Sequence, residues 1–501
     1  MLAFALSQVA GLTRQILVTN AFGTNPAMDA YNAANSFPTL IFTLVAGGAL
    51  ASAFVPTFTA LLTRSEGLSA WRLASSITNL VTLLLTALSF VSVIFAPQIV
   101  HLLWPKYEQG TTIRLLRILL ITPAIFGVSG IVSGVLNAHQ RFFLPALAST
   151  MYWLGIIFGL IFFVPSMGIY GLAWGAVLGS VMHLSIQIPD LLRLPKRHYI
   201  PTLGLREPSV REVGMLMGPR LLGVATVQLN FLVNTIIANF LPLGSLAAIG
   251  YAFPIMTMPL VVIGSAIGFA TLPTFSAQAA RGEFGELRDS LTASLRGVLL
   301  LSIPATFGLI LLREPLITAL FQHGNFTALS TEMVSWALLW YTVGLVGHAT
   351  LEIVARAFYA LHDTKTPALV GAGSMVLNIA LSILFAYWFD KIGQMPLGGL
   401  ALSASVAVFL ETGTLFILLG KRLKAMQGKK LAQGTGAALL GALVMSASIV
   451  LWLQSMKSCS ALITTLGGVV MGGIVYGLTL VVLRVPEVHN AVRALRQRFS
   501  Q

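Results

Sequence analysis

Residues 143–165 read FLPALASTMYWLGIIFGLIFFVP, and residues 168–189 read GIYGLAWGAVLGSVMHLSIQIP. Neither stretch holds an Asp, Glu, Lys or Arg, and only Ser166 and Met167 separate them. Each is about the ~20 residues that an α-helix needs to cross the hydrocarbon core of a bilayer. The apolar residues come in long runs, without the alternation that a transmembrane β-barrel requires.

The whole chain repeats this pattern. It has 501 residues, 56% hydrophobic and 9% charged, with a mean hydropathy of +0.87. Soluble domains carry about 25% charged residues, so a soluble globular protein is excluded, as are a disordered chain and a disulfide scaffold. The single cysteine, Cys459, cannot form an internal disulfide. The first residues have no basic region ahead of their apolar stretch, which continues to Phe22, so no cleavable signal peptide is expected.

Apolar runs between polar breaks predict fourteen spans: 2–22, 32–62, 74–104, 113–138, 143–165, 168–189, 213–239, 243–276, 291–312, 330–360, 365–389, 397–420, 431–453 and 461–483. Pro38, Pro56, Pro254 and Pro259 are predicted kinks. Of the 30 Lys and Arg residues, 22 fall in loops after even-numbered runs or in the C-terminal tail. Six fall on the opposite side or at its helix ends, namely Lys106, Arg114, Arg117, Arg313, Lys391 and Lys457. Arg14 and Arg220 stand within runs. Cytoplasmic loops concentrate Lys and Arg, so both termini are expected in the cytoplasm. The net charge of +14 is then a topology signal, and no nucleic-acid partner is expected.

Two short repeats suggest a duplication. Pro56-Thr57-Phe58-Thr59-Ala60 returns as Pro273-Thr274-Phe275-Ser276-Ala277. Ala138 followed by Pro145-Ala146-Leu147 returns as Ala360 followed by Pro367-Ala368-Leu369. The offset spans six runs, an even number, so the copies cross in the same sense and form a parallel repeat. The resulting division is an N-lobe over 1–190, a basic cytoplasmic linker over 191–212 and a C-lobe over 213–420. Two further helices and a basic tail occupy 421–501. The fold class is an all-α polytopic membrane protein, and paired lobes around a cavity imply a transporter that rocks between two openings.

Polar side chains inside spans are costly and tend to face a cavity or a partner. Arg14 is a candidate cation for an anionic substrate group, since a guanidinium binds phosphate oxygens in bidentate fashion. The bland alternative is a structural pair with Asp29. In the second run Asp29, Asn32, Asn35, Thr39 and Thr43 recur at three- or four-residue spacing and so mark one helical face. That face lines either substrate or a neighbouring helix, and Asp29 could instead cap its own helix. Asn230 and Asn234 are the matching candidates in the seventh run. Glu352 and Arg356 stand four apart in acid-before-base order, as a structural ion pair or a gate. Glu411 is a lone intramembrane acid, a coupling site or a partner for a neighbour. No H-E-x-x-H, G-x-S-x-G or P-loop motif occurs, so an enzyme is not expected. No cofactor or metal is expected either. Coupling to a cation or to the membrane potential stays open.

Several stretches carry a family resemblance: Gly11-Leu12-Thr13-Arg14, the run GGALASAFVP at 47–56, LFQHGNFT at 320–327, and above all RAFYALHDTKTP at 356–367. Through them the chain resembles the MurJ/MviN-type lipid II flippases of the multidrug/oligosaccharidyl-lipid/polysaccharide exporter superfamily. The resemblance implies two six-helix lobes with two extra helices bordering a groove for a lipid tail. It implies movement of an undecaprenyl-diphosphate-linked peptidoglycan precursor from the inner to the outer leaflet of a bacterial inner membrane. It also implies cell-wall synthesis proteins as partners. Arg14 and Asp29 match the family's cavity arginine and aspartate. The chain departs from the family at Gln8, at Phe42 or Thr43, and at Pro254, where many members carry further arginines. Another lipid-linked saccharide, an organic cation and a non-transporting scaffold are the rival readings. The cation exporter would need an acidic cavity, and Arg14 argues against one.

Overall fold

A computed structural model describes residues 2–46, 48–64, 66–195, 197–423, 428–456 and 458–487. Among them the regular structure is helical throughout, with no strand. Packing divides the described residues into two compact units, 1–247 with His323–Phe326, and 248–322 with 327–501.

The first unit contains α1 Leu2–Phe22, α2 Pro26–Ala46, α3 Gly48–Thr63, α4 Gly67–Ile94, α5 Ala96–Leu103, α6 Gln109–Leu119 and α7 Thr122–Ala138. It continues with α8 Phe143–Phe158, a π-helical turn at Gly159–Phe163, α9 Val164–Met167, α10 Ile169–Ser185, α11 Ile188–Leu192 and α12 Pro208–Ala238. α13, Ser245–Ala280, starts in this unit and runs into the second. The second unit holds α14 Phe284–Phe321, α15 Ala328–Val343, α16 Leu345–Ala360, α17 Lys365–Lys391, α18 Leu397–Arg422, α19 Gly428–Ser455 and α20 Ala461–Val482.

Among the described residues, ten of these helices or joined helices are long and apolar enough to cross a membrane, or eleven if the bent pair α15–α16 is one span. Of the fourteen expected runs, 2–22, 32–62 and 213–239 lie outside these ten or eleven among the described residues, and some of the others are made of two helices. The run 74–104 is α4 and α5, and the run 113–138 is α6 and α7. Breaks do not follow the predicted kinks. Pro38 lies within α2, Pro56 within α3, and Pro254 and Pro259 within α13, all uninterrupted. The 41° bend at Gly344 has a different cause. The Ser405 hydroxyl of α18 donates to the Trp340 carbonyl at 2.6 Å, and Gly344 leaves room for it. A side chain thus enters the α15–α16 ladder and satisfies a carbonyl freed by the bend.

α8 and α10 cross with almost no space between their backbones. A Cβ built on Gly155 would lie 2.3 Å from Gly179 Cα, and one on Gly159 would lie 2.4 Å from Gly175 Cα. The glycine spacing of four on both helices makes this approach available. Beside it, Gln187 is fully buried and donates to Ser129 while accepting from Ser133. Ser129 also contacts His183 Nδ1 at 2.7 Å.

The linker is less loose than its composition suggests. Asn79 of α4 donates to the Thr202 carbonyl at 2.8 Å and accepts from the Tyr199 hydroxyl at 2.6 Å, while Ser75 accepts from Ile200 N–H. α12 then begins at Pro208 and packs on α2 and α3. The repeat assigns that helix to the second half, but burial places it in the first unit. Packing follows apolar contact and the repeat follows ancestry, so the two divisions need not coincide. Residues 323–326 also fold onto the first unit. Asn325 N–H donates to the Asn20 carbonyl at 2.9 Å, and its Nδ2 donates to the Ala21 carbonyl at 2.6 Å. Gly23, with φ of +56°, would strike Asn325 O if it carried a Cβ.

In the second unit, Leu291, Leu295 and Val298 of α14, Ile353 and Ala357 of α16, and Leu415 and Leu419 of α18 form a buried apolar cluster. The turn between α16 and α17 is held by Asp363. Its carboxylate accepts from Thr366 N–H at 3.0 Å and from the Thr366 hydroxyl at 2.7 Å, and it pairs with Arg422. These contacts, led by the Thr366 backbone bond, hold its pKa down at about 2, against an ordinary 3.8. A depressed carboxylate pKa contributes stability above the unfolded value and loses it as pH falls through the folded one. The stability advantage of the natural protein over Asp363→Asn should therefore hold above about pH 4 and shrink toward pH 2. Thermal unfolding in detergent across that range reads it, and a gap independent of pH would refute it.

Candidate functional site

The geometry of the first unit separates two residues that the sequence leaves open as a pair. Arg14 projects from α1 toward α8, where its guanidinium carbon lies 4.9 Å from the Trp153 ring centroid. It donates to the Gln15 side chain, and its charge reaches the Tyr31 and Tyr152 hydroxyls of α2 and α8. It is half-buried, and its buried Nε has no hydrogen-bond partner among the described residues. Stacking of a guanidinium on indole supports the cation without consuming its donors. The arrangement can therefore present a fixed, incompletely satisfied cation to an anion.

Asp29 has another partner. It is 1% exposed, and its two carboxylate oxygens accept from Gly244 N–H at 2.6 Å and Ala247 N–H at 2.7 Å. These are the donors left free at the start of a helix, here α13. The anion also meets the positive end of that helix. Asp29 is thus a cap, though not for its own helix as the sequence allows. No ion pair joins it to Arg14 among the described residues. Expected among the substrate-binding residues, Asp29 here commits both oxygens to buried backbone.

The rest of the stripe is less buried. Asn32, Asn35 and Thr43 are half-buried and Thr39 is exposed, with its hydroxyl donating back to the Asn35 carbonyl at 2.8 Å. Asn230 and Asn234 lie on α12, which packs against α2. Each has a buried Oδ1 with no hydrogen-bond partner among the described residues. Unsatisfied buried amide oxygens cost about 1–3 kcal/mol each unless something occupies them. The structure therefore brings Arg14, the α2 stripe, Asn230 and Asn234 into one unit. Of this group, sequence reasoning missed Trp153. Its signal was an aromatic inside an otherwise apolar run at the depth of Arg14.

Glu352, Arg356 and Glu411 belong to the second unit. Arg356 Nη2 donates to Glu352 at 3.0 Å, and its Nη1 reaches the Gly264 carbonyl at 3.4 Å. The pair therefore ties α16 to α13. Glu411 faces α17, with Oε1 3.2 Å from where a Cβ on Gly371 would stand. No cluster of His, Cys, Asp or Glu among the described residues could hold a metal ion.

The family model for the lipid II flippase MurJ matches residues 18–470. The chain belongs to the lipid II flippase MurJ family. It is 31% identical over 427 residues to "Lipid II flippase MurJ" of Burkholderia cenocepacia, covering 83% of this chain and 82% of that one. It is 26% identical over 514 residues to "Probable lipid II flippase MurJ" of Haemophilus influenzae, covering 97% and 98%. A solved structure of a lipid II flippase MurJ in an inward closed conformation superposes with a TM-score of 0.81 at 25% identity, over 96% of this chain and 98% of that chain. An inward-facing multidrug resistance MATE transporter has a TM-score of 0.70 at 16% identity, over 83% and 94%, and shares the fold. The chain is accordingly a multi-pass bacterial membrane transporter and not a catalytic enzyme.

Proposed function

We propose that this protein carries lipid II from the inner to the outer leaflet by alternating access. The match to the MurJ family over 18–470 carries this reading. Arg14 engages the diphosphate, Asn230, Asn234 and the α2 stripe meet the sugars, and the lipid tail stays in the bilayer beside α19 and α20. The repeat supports fourteen spans in two six-helix lobes plus two, and the loop charges support cytoplasmic termini. Glu352 and Glu411 are the acids available for coupling the return step to a cation or to the membrane potential, where one charge is worth about 2.3 kcal/mol per 100 mV. Cell-wall synthesis proteins are the proposed partners. A second reading, another diphosphate-linked saccharide, is favoured by Gln8, Thr43 and Pro254, which leave fewer cations than the resembling family carries.

The test pairs rescue of a flippase-depleted strain with leaflet-resolved translocation of lipid II in proteoliposomes. Rescue and translocation by the natural protein are expected. Normal insertion without either would defeat lipid II as the substrate. Arg14→Ala should reduce translocation about 10- to 100-fold, the equivalent of a charge-assisted hydrogen bond. Arg14→Lys should recover only part of it, because an ammonium lacks the planar fork. Equal rates would remove Arg14 from the mechanism.

A further inference from the structure

A groove at one end of the first unit is unused by the transport reading. It is shallow and open, offers about 570 Å³, and is lined by Arg114, Arg117 and Ile118 of α6, with Ser166, Met167, Tyr170 and Trp174 at and beyond the α9–α10 turn. The Tyr170 hydroxyl donates to the Thr111 hydroxyl at 3.3 Å and fixes the two walls against each other. Arg114 and Arg117 are exposed, and Arg117 Nε spends one donor on the Val93 carbonyl at 3.3 Å. Glu108 lies close enough to Arg114 for their charges to interact, but its carboxylate is held by Thr111 N–H at 2.7 Å, as the cap of α6.

Two facts make this groove unlike its surroundings. The loop charges assign this end to the outer face, where only six of the 30 cations fall, and two of the six line this one groove. Cations are sparse on that side of membrane proteins, and a single carboxylate, Glu108, beside a pair of arginines one turn apart leaves positive charge for a further anion. The second fact is the wall opposite. Tyr170 and Trp174 are the residues that settle at the headgroup level of a bilayer, with ring in the acyl boundary and polar edge outward. Met167 and Trp174 are exposed beside the arginines.

We propose that the Arg114–Arg117 groove is a binding site for a lipid phosphate of the outer leaflet, with the guanidinium groups on the phosphate and Trp174, Tyr170 and Met167 against the glycerol and upper acyl chain. Two arginines at i, i+3 can share one phosphodiester from the same side. The site lies apart from Arg14 and holds whether or not lipid II is the cargo.

The experiment uses the full chain reconstituted in nanodiscs of phosphatidylcholine with graded phosphatidylglycerol. Bound lipid is counted by native mass spectrometry after release. An arginine beside an anionic surface strengthens binding about fivefold, and two together about twenty-fivefold. Arg114→Gln/Arg117→Gln should lose retained phosphatidylglycerol by roughly that factor, while Trp174→Ala should lose it by a smaller one. Arg193→Gln, on a different loop, should change nothing. Inorganic phosphate at millimolar concentration should leave retention unaltered. Displacement by it would assign the groove to a soluble phosphate and overturn the lipid. Equal retention by the double variant and the natural protein would overturn the site altogether.

Discussion

Asp29→Ala should be the most damaging single truncation in α2. Two backbone N–H groups, of Gly244 and Ala247, lose their acceptor while still buried. Each orphaned donor costs about 1–3 kcal/mol, and the lost anion at a helix N-terminus adds about 0.3–1 kcal/mol. A destabilisation of about 2–7 kcal/mol follows, visible as a lower thermal unfolding midpoint in detergent. Asp29→Asn keeps a carbonyl oxygen for one of the two donors and should lose about half as much. The outcome also separates two roles for the residue. A cap predicts that lost stability and lost transport travel together, with both partly recovered in Asp29→Asn. A variant as stable as the natural protein, yet unable to translocate substrate, would return Asp29 to the substrate-binding set.

That residue shows where sequence reasoning ends. Asp29 is recognisable as a polar residue that must be satisfied, because an acid in an apolar run cannot face lipid. Its partners are more than two hundred positions away and are main-chain groups, so no side chain at 244 or 247 announces them. Arg14 behaves in the same way. Its need for support was legible, but its support is an indole on α8, and a tryptophan in an apolar run reads as ordinary span. The helical class was plain from residues 143–189 alone, since hydropathy answers to the bilayer and needs no tertiary knowledge. The breaks were not plain. Prolines drew the expected kinks, yet α13 runs uninterrupted through Pro254 and Pro259, and the 41° bend follows a serine from another helix. Chain geometry is written locally, and bends imposed by a neighbour are not.

The glycines of α8 and α10 were a signal that could have been read and was missed. Gly155 and Gly159, and Gly171, Gly175 and Gly179, recur every fourth residue, which places each set on one helical face. Gly155→Val should therefore rank with Asp29→Ala among the most damaging changes in the unit. Its Cβ alone would lie 2.3 Å from Gly179 Cα and 2.4 Å from Gly179 N. The obstacle is backbone, which cannot rotate away, so the helices must separate. Overpacking in cores costs about 1–3 kcal/mol where side chains can yield, and more than about 3 kcal/mol is expected here. The displacement reaches function, because α8 also carries Trp153, on which Arg14 rests. Even Gly155→Ala should reduce both folded yield and translocation. Gly473→Ala on α20, where a Cβ meets nothing within 4 Å, is the matched control. It should be neutral or stabilise by up to about 1 kcal/mol through helix propensity. Detergent-solubilised yield and unfolding midpoint for the three variants decide the matter, and a Gly155→Val protein indistinguishable from Gly473→Ala would mean that α8 and α10 do not cross through their glycines.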